Sequence, residues 1–197
     1  GSLSLSANGI YLTNSSDMTF TNNSIITAGE YGIFSENSAG SIVNNNSISG
    51  SYSTAAIRMQ DCDNCEFDGN TITFRPYRGI WTQYADNTSF TNNNIDVGQT
   101  GIESQDGSYL TIENNTITNF NIGIEISNSS DNVVDSNYIH TTSNYVTTSG
   151  SNYTWTNYGI HANNSDSLFI TNNTITTESG TIIYQTNGAS TIKYNLL

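Results

Sequence analysis

Positive charge is almost missing from this 197-residue sequence: four basic residues (Arg58, Arg75, Arg78 and Lys193) face seventeen acidic ones, for a formal charge of −13. Nucleic acid and anionic membranes both need a basic footprint, so neither is expected as a partner. No apolar run approaches the roughly 20 residues of a spanning helix, so no membrane span is expected. The Gly1-Ser2 opening has no secretory leader pattern and reads as a mature start or a cloning remnant. Cysteine occurs only as Cys62 and Cys65, in Asp-Cys-Asp-Asn-Cys. A zinc site would need two further ligands at suitable spacing, and there is no second pair, so no metal site is expected. The pair reads either as a local disulfide or as two small buried thiols.

Asn, Ser, Thr and Gly fill the space that Lys and Glu leave, beside 35% apolar residues. This is the composition of a turn-rich all-β chain, and with no composition break it predicts a single domain over 1–197. Asn-X-Ser/Thr triplets begin at Asn14, Asn22, Asn45, Asn87, Asn114, Asn128, Asn152, Asn163 and Asn172. Together with the acidic, Lys-poor surface they suggest an extracellular or cell-surface setting, with glycosylation as an open option.

A repeat emerges when Gly9-Ile10, Gly32-Ile33, Ala56-Ile57, Gly79-Ile80, Gly101-Ile102, Gly123-Ile124, Gly159-Ile160 and Thr181-Ile182 are set in register. Eleven places after each start stand Phe20, Val43, Phe67, Phe90, Ile112, Val134, Ile170 and Ile192. Fourteen places along, Asn23, Asn46, Asn70, Asn93, Asn115, Asn137, Asn173 and Asn195 form an unbroken Asn column. Sixteen along come Ile25, Ile48, Ile72, Ile95, Ile117, Ile139, Ile175 and Leu197. A period of 22 to 24 residues suits a coil of three short strands and three turns. Stacked coils place like residues about 4.8 Å apart, so the Ile columns bury one another and the Asn amides can bond along the stack. The fold expected is therefore all-β, a right-handed parallel β-helix of about eight coils with three short strands per coil.

The Asn-Asn-Thr-Ile run and the following Gly-Ile-X resemble the repeats of NosD-like and pectate-lyase-like right-handed solenoids. That resemblance covers nearly the whole chain and implies a fold shared by polysaccharide lyases, glycoside hydrolases, carbohydrate-binding modules and surface proteins, so it does not choose among them. The Asn, Ser, Thr and Tyr bias is similar to adhesin-like, surface-layer and sheath proteins of methanogenic archaea.

Residues two and four places into each repeat should face outward from the first strand. The first such column reads Tyr11, Phe34, Arg58, Trp81, Glu103, Glu125, His161 and Ile183, and the second includes Gln60, Gln83 and Gln105. Aromatic rings can pack on sugar rings while amides and carboxylates bind hydroxyls, although aromatics on a sheet also stack simply for cross-strand stability. Glu103 and Glu125 on neighbouring coils are the candidate acid pair of a retaining glycosidase, with His161 as a third candidate. Arg58 and Arg78 could form a small positive patch near Trp81, but the Arg-Pro-Tyr-Arg stretch at 75–78 reads better as a turn. No cofactor is expected. Asp61, Asp63, Asp86 and Asp106 are calcium candidates without dense ligand spacing, so solvated turn aspartates are the favoured account.

The long step after Ile139 predicts an inserted loop at about 140–157, where Tyr153 and Trp155 could meet a glycan or partner. Neither end shows an amphipathic capping helix, so both terminal coils are expected to be open, either to neighbouring segments of a longer solenoid or to end-to-end self-association. The leading expectation is an extracellular structural subunit of sheath or adhesin type. The alternatives are a carbohydrate-binding module or a polysaccharide hydrolase or lyase working on the first-strand face.

Overall fold

The computed structural model describes residues 8–73, 77–96, 98–141, 157–178 and 180–197. Among them every regular element is a strand, and every strand pair is parallel. The coil has three faces. The first is built from Ile10–Thr13, Arg78–Gln83, Thr100–Gln105, Ile122–Ser130, Asn157–Asp166 and Gly180–Thr186. The second is an eight-stranded sheet running from Thr19–Thr21 to Ser190–Lys193. The third carries Thr71–Thr73, Asn94–Asp96, Thr116–Thr118, Tyr138–Thr141 and Thr174–Thr177. Two long strands, Ser24–Glu36 and Ser47–Gln60, run from the third face onto the first without a break and join both into one sheet.

The apolar columns form the core as their spacing predicts. Ile33, Ile57, Ile80, Ile102, Ile124 and Ile160 stack beneath the first face, Phe20 to Ile170 beneath the second and Ile25 to Ile175 beneath the third, all buried. Phe67 and Phe90 stack with centroids 5.1 Å apart and planes within 5°. Small residues precede the first-face Ile because neighbouring groups leave no room for a side chain there. A Cβ on Gly101 would lie 2.3 Å from Cγ2 of Ile117 and 2.6 Å from the Gly123 carbonyl oxygen, so the third-face Ile occupies the place of a side chain.

The Asn column is a hydrogen-bonded ladder. Each amide oxygen accepts both the backbone N–H and the side-chain N–H of the Asn one coil earlier, as Asn115 Oδ1 does from Asn93 at 3.0 and 2.9 Å. The amide nitrogen also donates to a main-chain carbonyl of the preceding coil, Asn115 to Phe90 at 2.9 Å. The left-handed turn conformation belongs to the residue before the ladder: Asn22, Asn45, Gly69, Asn92, Asn114, Ser136, Asn172 and Tyr194 all have φ between 53° and 63°. A short polar residue or Gly suits that region, and Tyr194 is the exception.

Two expectations change, and of the two readings of the cysteine pair one is found. In the last coil Ile160 pairs with Ile183 and His161 with Tyr184, so the outward residue is Tyr184 and the step is one residue longer than the Thr181-Ile182 match predicts. A one-residue slip exchanges inward and outward side chains, and it is tolerated here because Ile182 and Ile183 both pack against the core. Arg78 is not in a turn: it opens the strand Arg78–Gln83 and pairs with Ala55 and Thr100. Cys62 and Cys65 are free, buried thiols, not a disulfide. Cys62 hydrogen-bonds Cys65, which together with burial holds its own thiol well above the usual range while drawing the Cys65 thiol down. The expected loop, with Tyr153 and Trp155, lies outside the described residues except for its flanks, as do Arg75 and Pro76.

Candidate functional site

The outward column of the first face is continuous. Register pairs run Tyr11–Phe34, Phe34–Arg58, Arg58–Trp81, Trp81–Glu103, Glu103–Glu125, Glu125–His161 and His161–Tyr184. Beside it run Gln60, Gln83 and Gln105, also paired rung to rung. Parallel in-register stacking thus brings together residues some 20 to 36 positions apart in the chain.

The column has a charged centre. The Arg58 guanidinium donates from Nη1 to Tyr31 Oη at 3.1 Å and from Nη2 to Gln60 Oε1 at 3.3 Å. Its carbon lies 3.8 Å from the Trp81 ring centroid, and that of Arg78 lies 4.4 Å from the same ring. Two of the four basic residues in the chain therefore rest on one indole, within the range in which a cation is attracted to the ring quadrupole. Arg78 Nε is ion-paired with Glu103 Oε2. Gln105 Nε2 donates to the other carboxylate oxygen of Glu103 at 2.8 Å.

Glu103 leaves its strand on the outward side, yet it is only 2% exposed, because Arg78 and its neighbours cover it. Burial raises its pKa, and the pull of Arg78 offsets this only in part, while the Glu125 carboxylate on the next rung pushes it further up. Glu125 is more open. Its Oε1 lies 3.3 Å from His161 Nδ1, at ion-pair range but without hydrogen-bond alignment.

Aromatic clusters flank this centre. Tyr11 and Phe34 stack at 5.0 Å, with Tyr31 tilted against Phe34 at the same distance. At the other end Tyr158 stacks on His161 at 5.0 Å and on Tyr184 at 5.1 Å. The rings therefore spend faces on one another, and Trp81 spends its face on guanidinium groups. What the column offers outward is largely ring edges, hydroxyls, amides and charged tips, rather than the row of flat platforms the residue types suggest.

Polar atoms without partners gather here. Seven buried side-chain atoms lack a hydrogen-bond partner among the described residues, and three of them, Arg58 Nε, Trp81 Nε1 and His161 Nδ1, belong to this one column. Natural proteins satisfy nearly all such groups, so three in one column single this face out as the candidate site.

The four candidate calcium aspartates also come together. Asp61, Asp63, Asp86 and Asp106, with Tyr84, line a hollow of about 310 Å³ at the turn beyond the first face. Three of them each commit one carboxylate oxygen to a neighbouring coil: Asp63 accepts from the Asp86 N–H at 2.9 Å, Asp86 from the Ser108 N–H at 2.7 Å and Asp106 from the Asn128 amide at 3.0 Å. Among the described residues no group of carboxylates, His or Cys is arranged to hold a metal ion.

The family model described as the right-handed β-helix region matches residues 3–55 and 42–197. No curated protein matches the chain. Among solved structures, DFA-IIIase of Arthrobacter chlorophenolicus A6 without its lid superposes with a TM-score of 0.76 at 13% identity, over 92% of this chain and 49% of that one. The A-module of the Azotobacter vinelandii mannuronan C-5 epimerase AlgE4 gives 0.74 at 16% identity, over 93% and 54%. The periplasmic alginate epimerase AlgG gives 0.64 at 15%, over 94% and 48%. At these identities the likeness is one of fold, and the chain spans about half the length of the structures it matches.

Proposed function

We propose that this chain, which belongs to the right-handed β-helix family, holds a polysaccharide along the first-face column from Tyr11 to Tyr184. The observation that carries the reading is the gathering of buried polar atoms without a hydrogen-bond partner, Arg58 Nε, Trp81 Nε1 and His161 Nδ1, in one outward column that also holds Glu125 and runs beside Gln83. Seven steps of about 4.8 Å make this column roughly 34 Å long, the shape of a groove for a linear polymer and not of a pocket for a small molecule. Similar folds include a periplasmic alginate epimerase and the A-module of a mannuronan C-5 epimerase, which supports the same ligand class here. A polymer of that kind fits an extracellular or cell-surface location.

Binding, rather than hydrolysis, is the reading the geometry favours. Glu103 is held by Arg78 and Gln105 and shielded from any glycosidic oxygen, so it anchors the network, while Glu125 and His161 remain open to a ligand. The test is a glycan array probed with the parent chain and Trp81→Phe, which deletes the indole N–H and keeps a ring under both guanidiniums. The parent is expected to bind at least one polysaccharide class and the variant to bind it several-fold more weakly; no binding to any glycan rejects the proposal.

A second reading has its own observation. Ile192, Leu196 and Leu197 are exposed beside the last rung, at 48, 68 and 60%. That apolar edge suits the next coil of a longer solenoid or another copy stacked end to end. Concentration-dependent sedimentation distinguishes the two: a constant monomer mass rules out self-stacking.

A further inference from the structure

The two guanidiniums on Trp81 are not equivalent. Arg78 is neutralised by a buried carboxylate. Arg58 makes no ion pair with a carboxylate among the described residues; its hydrogen bonds go to neutral oxygens of Tyr31 and Gln60. In a chain of net charge −13 an acid partner in contact could readily have been supplied, and the Glu103 carboxylate acts on this half-buried cation only from beyond contact distance, which leaves part of its desolvation cost in place. A guanidinium has five N–H donors. The two bonds to Tyr31 and Gln60 leave three of them, one on each terminal nitrogen and one on Nε, and a guanidinium fork is the group suited to grip a carboxylate. Trp81 and Phe34, 3.8 and 5.6 Å away, hold the fork in place and keep water from its faces.

We infer that Arg58 is the anion anchor of this face, and that the polysaccharide held there carries carboxylate groups on its sugars. This rests on the polysaccharide-binding reading and adds the charge of the ligand. The rest of the molecule opposes an anionic polymer at long range, since seventeen acidic residues surround four basic ones. Such repulsion is screened beyond about 8 Å at physiological ionic strength, whereas a contact carboxylate at Arg58 is not. Discrimination therefore depends on one residue, not on a general basic surface.

The experiment compares mannuronan with the same polymer after chemical reduction of its carboxylates to primary alcohols, using the whole chain at about 0.15 M salt. The parent should bind mannuronan at least tenfold more tightly than the reduced polymer. Arg58→Gln should lose about ten- to hundredfold in affinity for mannuronan, the size of one charge-assisted contact, so that the parent's preference for mannuronan over the reduced polymer collapses toward one. Arg58→Lys keeps the charge without the fork and should fall between them, and unchanged thermal unfolding of either variant shows that the face is intact. Equal binding of the two polymers, or an Arg58→Gln variant indistinguishable from the parent, overturns the inference and leaves polysaccharide binding standing. Failure of every polymer on the array removes both.

Discussion

Removing one rung of the Asn ladder should cost far more in the middle of the solenoid than at its end. Asn115→Ala leaves the Asn93 backbone N–H, bonded to Asn115 Oδ1 at 3.0 Å, with no partner inside the coil. It also deprives the Asn93 amide and the Phe90 carbonyl of one bond each, both at 2.9 Å. A buried group left unsatisfied costs about 1–3 kcal/mol and a bond lost from a group with another partner about 0.5–1.5 kcal/mol, so the sum is about 2–6 kcal/mol. Against a typical domain stability of about 5–15 kcal/mol this is a large fraction. Asn23 is exposed and sits at the edge of the ladder, where its amide donates to Asn46 at 3.0 Å; Asn23→Ala should cost only about 0.5–1.5 kcal/mol. Urea unfolding followed by circular dichroism reads both. An Asn115→Ala variant as stable as Asn23→Ala would refute the view that the ladder satisfies buried backbone, and would leave shape-filling as its role.

Two buried groups, Glu103 and the cysteine pair, give further outcomes. Burial raises the Glu103 pKa in the folded chain above its unfolded value; the folded state therefore binds that proton more tightly, and ionised Glu103 costs stability at neutral pH. Stability from this group should rise as pH falls through the raised folded pKa toward the unfolded value near 4.3, and should vanish in Glu103→Gln; parallel pH profiles for parent and variant would contradict it. Cys62 and Cys65 are both buried and free, so an aromatic disulfide reagent should find no reactive thiol in the native chain and two after denaturation, whereas none after denaturation would mean a disulfide.

The repeat makes the fold legible because stacking demands the same side chain in the same place on every coil. Ile33, Ile57 and Ile80 can be aligned by eye, and all are fully buried. Where two neighbouring residues satisfy the same column, as Ile182 and Ile183 do, spacing alone chooses wrongly and only the hydrogen-bonded register decides. The Asn column was readable as a ladder, but the left-handed φ sits one residue earlier, at positions that include Gly69, Ser136 and Tyr194 and so show no single residue type.

The site was half visible. Alternation along the strand placed Trp81, Glu103, Glu125 and His161 in one outward column, and the register confirms that placement. It could not show that Glu103 is buried, since the cover comes from Arg78, which stands immediately before Gly79-Ile80 with no periodic signal and reads as part of a turn. Nor could residue types choose between rings free to meet a sugar and rings stacked on one another; the structure stacks Tyr11 on Phe34 and Tyr158, which the sequence did not single out, on His161. Tyr31, which fixes the Arg58 guanidinium, precedes its repeat pair and carried no signal as a site residue.

The most direct test of the central claim uses the indole N–H resonance of Trp81, one of only two tryptophans in the chain and assignable through Trp81→Phe. The chain would be titrated with size-fractionated oligosaccharides of whichever polymer the array identifies. Saturable shifts of the Trp81 indole, the Gln83 amide and the His161 ring, with the second and third faces unmoved, are the predicted result. Binding that leaves these three signals in place and shifts residues of another face would contradict the assignment of this column as the site.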